Sequence, residues 1–226
     1  MVKNKRKYLF LLLIGFSLTL YAQRQTNYGA IFSGELEKGL TPNLSLSLGE
    51  EVRLIDNSVG FDRSSTSVGL DYAFLQKKIK VGAYYNFMYL YNSDHYYEPR
   101  HRYYFNLSYK EAVGQFTLSW RGRFQGTYRD ENHGEYKINP KYVMKNKFEV
   151  EYSVWGHPWK PFISCDFTSE LNDPTGNDLT RVRYEGGTTW RLNRTDYLNF
   201  FVRFDQYLTA KDPHVLSLGV GYKVKL

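Results

Sequence analysis

The chain has 226 residues, with 30 Lys and Arg against 23 Asp and Glu. Four of the basic residues and none of the acidic ones lie in positions 1–22, so the rest of the chain carries 26 basic and 23 acidic residues, a formal charge of only +3. This near balance gives no reason to expect a nucleic-acid partner. The single cysteine, Cys165, excludes the class of small exported proteins that are held together by internal disulfides.

The N-terminus has the three parts of a secretory signal peptide. A basic stretch at 3–7 (KNKRK) precedes an apolar stretch at 8–20 (YLFLLLIGFSLTL), and the small residue Ala22 stands at the cleavage position. The apolar stretch is shorter than the roughly 20 residues that a membrane-spanning helix needs. We therefore expect residues 1–22 to be a signal peptide removed on export, and residues 23–226 to form a single domain.

The stretch 115–129 (QFTLSWRGRFQGTYR) alternates between an apolar and a polar face. Successive side chains of a β-strand point to opposite sides, whereas a helix would scatter these arginines around its circumference. One face of the predicted strand carries Phe116, Leu118, Trp120, Gly122, Phe124, Gly126 and Tyr128. The other carries Gln115, Thr117, Ser119, Arg121, Arg123, Gln125, Thr127 and Arg129.

The same alternation recurs along most of the chain. It is clear at 44–48, 65–74, 79–91, 102–109, 147–154, 181–190, 198–205 and 216–226. The predicted strands that contain these segments run about 11 to 14 residues, longer than the five or six residues usual in soluble sheets. They match the requirement of about 9–11 tilted residues for a strand that crosses a bilayer.

The connections between these segments alternate in length. Short ones lie at 39–43, 76–78, 111–114, 156–160 and 193–196, and longer polar ones at 57–62, 92–99, 130–140, 171–178 and 209–213. Short periplasmic turns and longer extracellular loops are typical of outer-membrane barrels. The pattern therefore predicts an all-β protein, an antiparallel transmembrane up-and-down β-barrel of about 10–12 strands.

Two features do not fit the simplest form of this barrel. We count eleven segments, whereas bacterial single-chain barrels normally have an even number of strands. Either the first segment, 26–38, is not an ordinary wall strand, or the count is off by one. In addition, Glu50 falls on the apolar face of its strand, and a bulge beside Glu51 would restore the alternation.

The order of short motifs resembles a known family. They are LSLSLGEEVR, GLDYAF, VGAYYNF, HRYYFNLSY, WRGRF, KPFISCDF, RVRYEGG and the closing LSLGVGYKVKL. This order is similar to that of the Gram-negative outer-membrane barrels catalogued as domain of unknown function 2490, which tend to have a glutamate near the position of Asp166. The resemblance covers essentially residues 23–226. It implies an outer-membrane barrel for which the family has no established activity.

The polar face of the predicted strands carries many charges, which in a barrel line the lumen. The predicted lumen-lining charged network consists of Arg53, Arg102, Arg121, Arg123, Glu149, Glu151, Arg181, Arg183, Glu185, Arg203 and Asp205. Charges of opposite sign on neighbouring strands can pair and close the lumen. Bulky groups on the same face favour closure: Tyr84, Met88, Leu90, Tyr104, Phe162 and Phe201.

Three functions are compatible with this lumen. The favoured hypothesis is a structural or accessory barrel whose lumen is plugged by side chains, as a subunit of a larger outer-membrane complex. Barrels of about eight strands are filled by side chains, while open channels appear at about 16–18 strands. The alternative is a narrow, anion-preferring pore lined by arginines. The third hypothesis is a lipid hydrolase at the barrel rim.

The sequence shows no convincing catalytic or metal-binding pattern. A hydrolase of this kind needs a histidine beside a serine, and His214 and Ser217 are three positions apart and so fall on opposite faces. The stretch 172–178 (NDPTGND) has oxygen ligands but lacks the spacing of an EF-hand loop. We therefore predict a protein without enzyme activity and without a cofactor or metal.

The expected surroundings follow from this class of fold. We expect the chain to lie in the outer membrane, in contact with its lipid and lipopolysaccharide, whose phosphates Arg100, Arg129 and Lys211 could touch. The last strand ends on the apolar Leu226, which resembles the signal read by the outer-membrane assembly machinery. Other outer-membrane proteins are possible partners, and a nucleic acid is not.

Overall fold

The structure, a computed structural model, describes residues 26–56, 60–91, 96–129, 138–174, 176, 178–209 and 212–226. The predicted signal peptide at 1–22 lies outside these residues, as do Lys211 and parts of the long connections. No helix in the described part of the chain is long and apolar enough to cross a membrane.

Eleven β-strands form a closed barrel within the described residues. They are β1 Thr26–Gly39, β2 Leu44–Ile55, β3 Phe61–Phe74, β4 Ile79–Tyr91, β5 Tyr97–Val113, β6 Phe116–Arg129, β7 Lys141–Tyr152, β8 Trp159–Glu170, β9 Leu179–Arg191, β10 Asp196–Tyr207 and β11 His214–Lys225. The predicted all-β barrel of 10–12 strands is confirmed.

The barrel closes through a parallel seam. Strands that follow each other in sequence pair antiparallel, while β1 and β11 run side by side in the same direction, with Thr26 opposite His214 and Glu37 opposite Lys225. An odd number of strands that reverse at every connection brings the first and last strands together in the same direction. The first segment is therefore a full wall strand and the count of eleven stands, so neither explanation offered for the odd number is correct.

The two ends of the barrel differ in their connections. The turn rim consists of residues 40–43, 75–78, 114–115, 153–158 and 192–195 together with the C-terminus. The loop rim consists of the start of β1 and the described residues of the connections at 56–60, 92–96, 130–140, 171–178 and 208–213. At the turn rim, Lys78 Nζ donates a 2.8 Å hydrogen bond to Glu111 Oε1, and this carboxylate raises the pKa of the lysine.

The wall sorts side chains as the alternation predicts. In β6 the apolar face points outward, with Phe116 50%, Phe124 44% and Tyr128 44% exposed, while Gln125 and Thr127 on the other face are each 4% exposed. Burial of the polar face places its side chains in the lumen. The outward apolar face is the surface that a barrel presents to lipid.

Glu50 is an exception on the outer face. It is exposed and lies in regular register between Gly34 of β1 and Thr66 of β3, so the predicted bulge beside Glu51 is wrong. The irregularity in this strand pair lies instead between Arg53 and Leu54. The Ser64 and Thr66 hydroxyls donate hydrogen bonds of 2.6 and 2.5 Å to the two oxygens of the Glu50 carboxylate. These bonds stabilise an outward carboxylate without a change of register.

Two aromatic rings lie directly against glycines of the inner wall. A Cβ built on Gly69 would lie 2.8 Å from Tyr84 Cγ and nearer still to its ring edge. A Cβ built on Gly219 would lie 2.5 Å from Phe201 Cε1. Rings can lie this close to the backbone only where no side chain intervenes. Glycine at these two positions therefore admits large rings into the lumen without displacing the strands.

Candidate functional site

A group of ion pairs in the lumen connects β9 and β10. The antiparallel register places Arg183 directly opposite Asp205, both on the lumen face. Arg183 Nε and Nη2 donate to the two Asp205 oxygens at 2.6 and 3.2 Å, a bidentate arrangement. Arg181 Nε lies 3.5 Å from the same carboxylate, so two arginines share one acid.

A second group of ion pairs joins β10, β9 and β7. Arg203 Nε donates to Glu185 Oε2 at 2.7 Å, again between residues that face each other in register. Lys147 Nζ lies 2.8 Å from Glu149 and 3.6 Å from Glu185, on the far side of β8. The interaction therefore crosses an intervening strand inside the barrel.

The remaining predicted residues are not part of these groups. Arg53 pairs at 2.7 Å with Glu51 of its own strand, and Glu151 pairs at 3.2 Å with Lys160 near the turn rim. Arg121 makes no ion pair with a described residue. The predicted network is thus divided into separate clusters.

Two further arginines of the set have neutral partners. Arg123 Nε donates to Asn106 Oδ1 at 2.8 Å, and its guanidinium lies 4.0 Å from the centre of the Tyr104 ring. Arg102 Nε donates to Thr127 Oγ1 at 3.2 Å. Neither forms an ion pair with a carboxylate among the described residues, so these two positive charges are not neutralised by the described wall.

Cavities lie at both ends of the lumen. The turn-side cavity, of about 370 Å³, includes Glu151, Lys160 and Asn199 in its lining. At the loop side, a cavity of about 200 Å³ is lined in part by Arg53, Asp62, Arg63 and Asp205. A second loop-side cavity, of about 180 Å³ and called here the cationic cavity, is lined by Arg100, Arg102, Gln125, Thr127, Arg129, Lys141, Val143, Lys145, Thr168, Glu170, Thr180, Arg181 and Tyr207.

Side chains at mid-height lie between the turn-side cavity and the loop-side cavities. We call this set the middle layer; it comprises Lys147, Glu149, Phe162, Asp166, Arg183, Glu185, Phe201 and Arg203. Along β10, for example, Asn199 lines the turn-side cavity and Tyr207 both loop-side cavities, with Phe201 and Arg203 between them. Phe162, Phe201 and Ile31 are buried and pack together. The middle layer therefore combines an apolar contact with the two groups of ion pairs.

The charged network predicted from the sequence lacks several lumen residues. The predicted charged network does not include Lys145 and Lys147, although they lie four and two positions before Glu149 and so on the same strand face. Glu98 was also missed, and its side chain is fully buried beneath Arg100, which binds both carboxylate oxygens at 2.8 and 2.9 Å. Strict use of the two-residue period across each whole strand would have found all three.

Two of the described histidines contact aromatic side chains. His101 Nδ1 lies 2.8 Å from the Tyr85 hydroxyl on the outer face, and His214 packs against the Phe204 ring. His95 and His133 fall outside the described residues. Within the part of the chain that is described, no three His, Cys, Asp or Glu side chains converge where they could hold a metal ion.

Comparison with known sequences decides the family. The sequence profile of the proteins of unknown function DUF2490 matches residues 28–224, which is nearly the whole wall of the barrel. The chain belongs to the DUF2490 family. The resemblance inferred from the motifs is thus confirmed. No curated protein matches this DUF2490 chain.

One solved structure shows the same kind of fold, and two others match at lower TM-scores. The NanC porin is 14% identical to this DUF2490 protein, with a TM-score of 0.57, and the match covers 88% of this chain and 99% of the porin. The beta domain of the Bordetella autotransporter BrkA matches at 11% identity and a TM-score of 0.43, over 82% of this chain and 85% of that one. The translocator domain of NalP from Neisseria meningitidis matches at 10% identity and 0.38, over 78% and 72%.

Asp166 takes a central place in the lumen of this DUF2490 barrel. It lies between Lys147 of β7 and Arg183 of β9 in register, and it accepts a 3.2 Å hydrogen bond from Thr168 Oγ1. Its side chain is buried. The acid therefore adds a negative charge to the middle layer, between the two groups of ion pairs.

Proposed function

We propose that this chain is an outer-membrane barrel with a structural or accessory role, closed to ions by the middle layer and acting within a larger outer-membrane assembly. The outward apolar face and the predicted signal peptide at 1–22 support the location. The observation that carries the proposal is the separation of the turn-side cavity from the two loop-side cavities, which share no lining residue with it.

The apolar part of the middle layer is held in place by close packing. Phe201 lies against Gly219 on one side, touches Ile31 and Phe162, and has the Arg203 guanidinium 4.7 Å from its ring centre. A side chain confined in this way has few alternative rotamers, since neighbouring atoms already occupy the space around it. This rigidity supports a permanently closed lumen.

The opposite wall contributes a second stack. The Tyr84 and Tyr104 rings are nearly parallel, with centres 4.7 Å apart. The Arg123 guanidinium lies over the Tyr104 ring, 4.0 Å from its centre. The Tyr84 hydroxyl donates to Asp71 Oδ2 at 2.6 Å, which fixes the free end of the first ring. Both sides of the lumen thus carry ordered aromatic groups at mid-height.

Conductance in planar bilayers tests the closed lumen. We expect the wild-type barrel to give no steady current, and the double variant Phe162→Ala/Phe201→Ala to give discrete steps because the apolar contact is removed. The double variant Phe148→Ala/Phe200→Ala removes the same atoms from two exposed positions on the outer face of the wall, and it should remain closed. A steady current through the wild-type protein would overturn the proposal.

A narrow anion-preferring pore is the second candidate. It is favoured by Arg102, Arg121 and Arg123, which form no ion pair with a described carboxylate. If the wild-type barrel conducts, a salt gradient should then give a reversal potential of the sign expected for anions. Substitution of Arg121 and Arg123 by alanine should reduce that preference.

A further inference from the structure

The cationic cavity is unusual in the balance of its charges. Six of its lining side chains are basic, whereas only one, Glu170, is acidic. It opens at the loop rim, where Arg129 ends β6 and Tyr207 ends β10. The cavity therefore concentrates positive charge at one end of the lumen.

Internal acids neutralise only part of this charge. Glu98 binds Arg100 through both oxygens, and Lys141 pairs with Glu170. Arg181 lies 3.5 Å from Asp205, but that carboxylate is already bound at 2.6 Å by Arg183. Half of the six cations, Arg102, Arg129 and Lys145, form no ion pair with a described residue.

Lys145 lies among other positive charges of the cationic cavity. Its side chain lines the cationic cavity from β7 together with Arg102 and Arg181, and Arg123 of β6 lies opposite it in register. All three arginines carry the same sign as the lysine. Cations withdrawn from bulk water and held together repel one another, and the arrangement is unfavourable unless an anion joins them.

Unused hydrogen-bond donors point to the same conclusion. Arg129 Nε and Arg181 Nε are buried and have no acceptor among the described residues. Both arginines line the cationic cavity. A buried donor without an acceptor is unfavourable by about 1–3 kcal/mol, more for a charged group. An oxyanion in the cavity supplies acceptors for such donors together with the missing negative charge.

We propose that the cationic cavity binds a phosphate-type oxyanion, either free or as the phosphoryl group of a larger molecule. Guanidinium groups match the oxygens of phosphate in pairs, and an ammonium group such as that of Lys145 adds a point charge. The volume of about 180 Å³ accommodates several water-sized groups, each of roughly 30 Å³. Binding is independent of the proposed structural role, because a site at one end of the lumen needs no current through the barrel.

Calorimetric titration of the purified full-length mature barrel in neutral detergent tests this site. Inorganic phosphate is titrated at low ionic strength into wild type and into Lys145→Met, with lipid A in mixed micelles as a second probe. We expect wild type to bind and Lys145→Met to bind at least about tenfold more weakly, as loss of a hydrogen bond to a charged group predicts. Lys147→Met is the matched control, because Lys147 lies on the same face of β7 but pairs with Glu149 outside the cavity.

The outcomes separate the possible ligands. Binding of inorganic phosphate that depends on Lys145 supports a soluble ligand, and binding of lipid A alone with the same dependence supports a membrane phosphate. Binding of neither probe, or equal weakening by Lys145→Met and Lys147→Met, overturns the site. Heat-dependent gel mobility of each variant shows that the barrel is folded. Since conduction is measured separately, a conducting wild type would refute the closed lumen and leave the phosphate result intact.

Discussion

Replacement of Gly219 by alanine is the sharpest test of how the lumen is packed. The new Cβ would lie 2.5 Å from Phe201 Cε1 and closer to two other ring atoms. Non-bonded carbon atoms favour separations of about 3.5–4.0 Å. The ring must therefore move by about 1 Å or more. It has little room to do so, because Ile31 and Phe162 already pack against it.

The expected loss of stability in Gly219→Ala follows from overpacking. Extra methyl or methylene groups in a well-packed core typically destabilise by about 1–3 kcal/mol, and the absence of free space around Phe201 puts Gly219→Ala in the upper half of that range. The substitution should also lose most of its effect when Phe201 is already leucine, because the planar ring is then absent. The double variant thus assigns the destabilisation to one pair of residues.

Reversible urea unfolding in detergent micelles gives the free energy of unfolding for each variant. Gly34→Ala is the matched control: a Cβ built on Gly34 meets no atom within 4 Å. That substitution should be neutral or should stabilise by about 0.4–1 kcal/mol through the unfolded state. Equal effects of Gly219→Ala and Gly34→Ala, or an undiminished effect of Gly219→Ala beside Phe201→Leu, would show that the ring does not rest on Gly219.

Two further predictions concern buried polar contacts and use the same assay. Asp205→Asn removes the acid shared by two arginines and should destabilise by about 3 kcal/mol, whereas Asp212→Asn in an exposed loop contact should change stability by less than about 0.5 kcal/mol. Tyr84→Phe leaves the buried Asp71 without its 2.6 Å hydrogen bond and should destabilise by about 1.5–3 kcal/mol. Tyr109→Phe removes a similar bond to exposed Glu111 and should have a much smaller effect. Equal effects within either pair would contradict the burial described for the first member.

The wall of the barrel could be predicted from the sequence because the alternation of apolar and polar residues is visible within each single strand. Alternation in a stretch such as 115–129 fixes which side chains face lipid, since the period of a strand is two residues. The same logic gave the eleven segments and the two kinds of connection. Alternation also places Glu50 on the outer face, but a bulge was expected to turn it inward, because the Ser64 and Thr66 hydroxyls that stabilise the carboxylate come from another strand.

The lumen was less accessible because its contacts depend on register and on distance across the barrel. Alternation is enough to predict that Arg183 and Asp205 face the lumen. That they pair with each other depends on the register between β9 and β10, which alternation does not give. The approach of Lys147 to Glu185 across β8 could not be read from any single strand. To predict that the rings of Tyr84 and Phe201 lie against Gly69 and Gly219, one needs both the strand register and the side-chain rotamers. Neither follows from the alternation.

The parallel seam has a consequence for the sidedness of the protein in a membrane. In a barrel with an even number of strands, both ends of the wall emerge in the same compartment. Here β1 begins at the loop rim with Thr26, and β11 ends at the turn rim beside Leu226. Reporter groups attached at these two residues would face opposite sides of the bilayer. An impermeant thiol reagent added to intact cells should therefore reach a cysteine introduced at only one of the two positions.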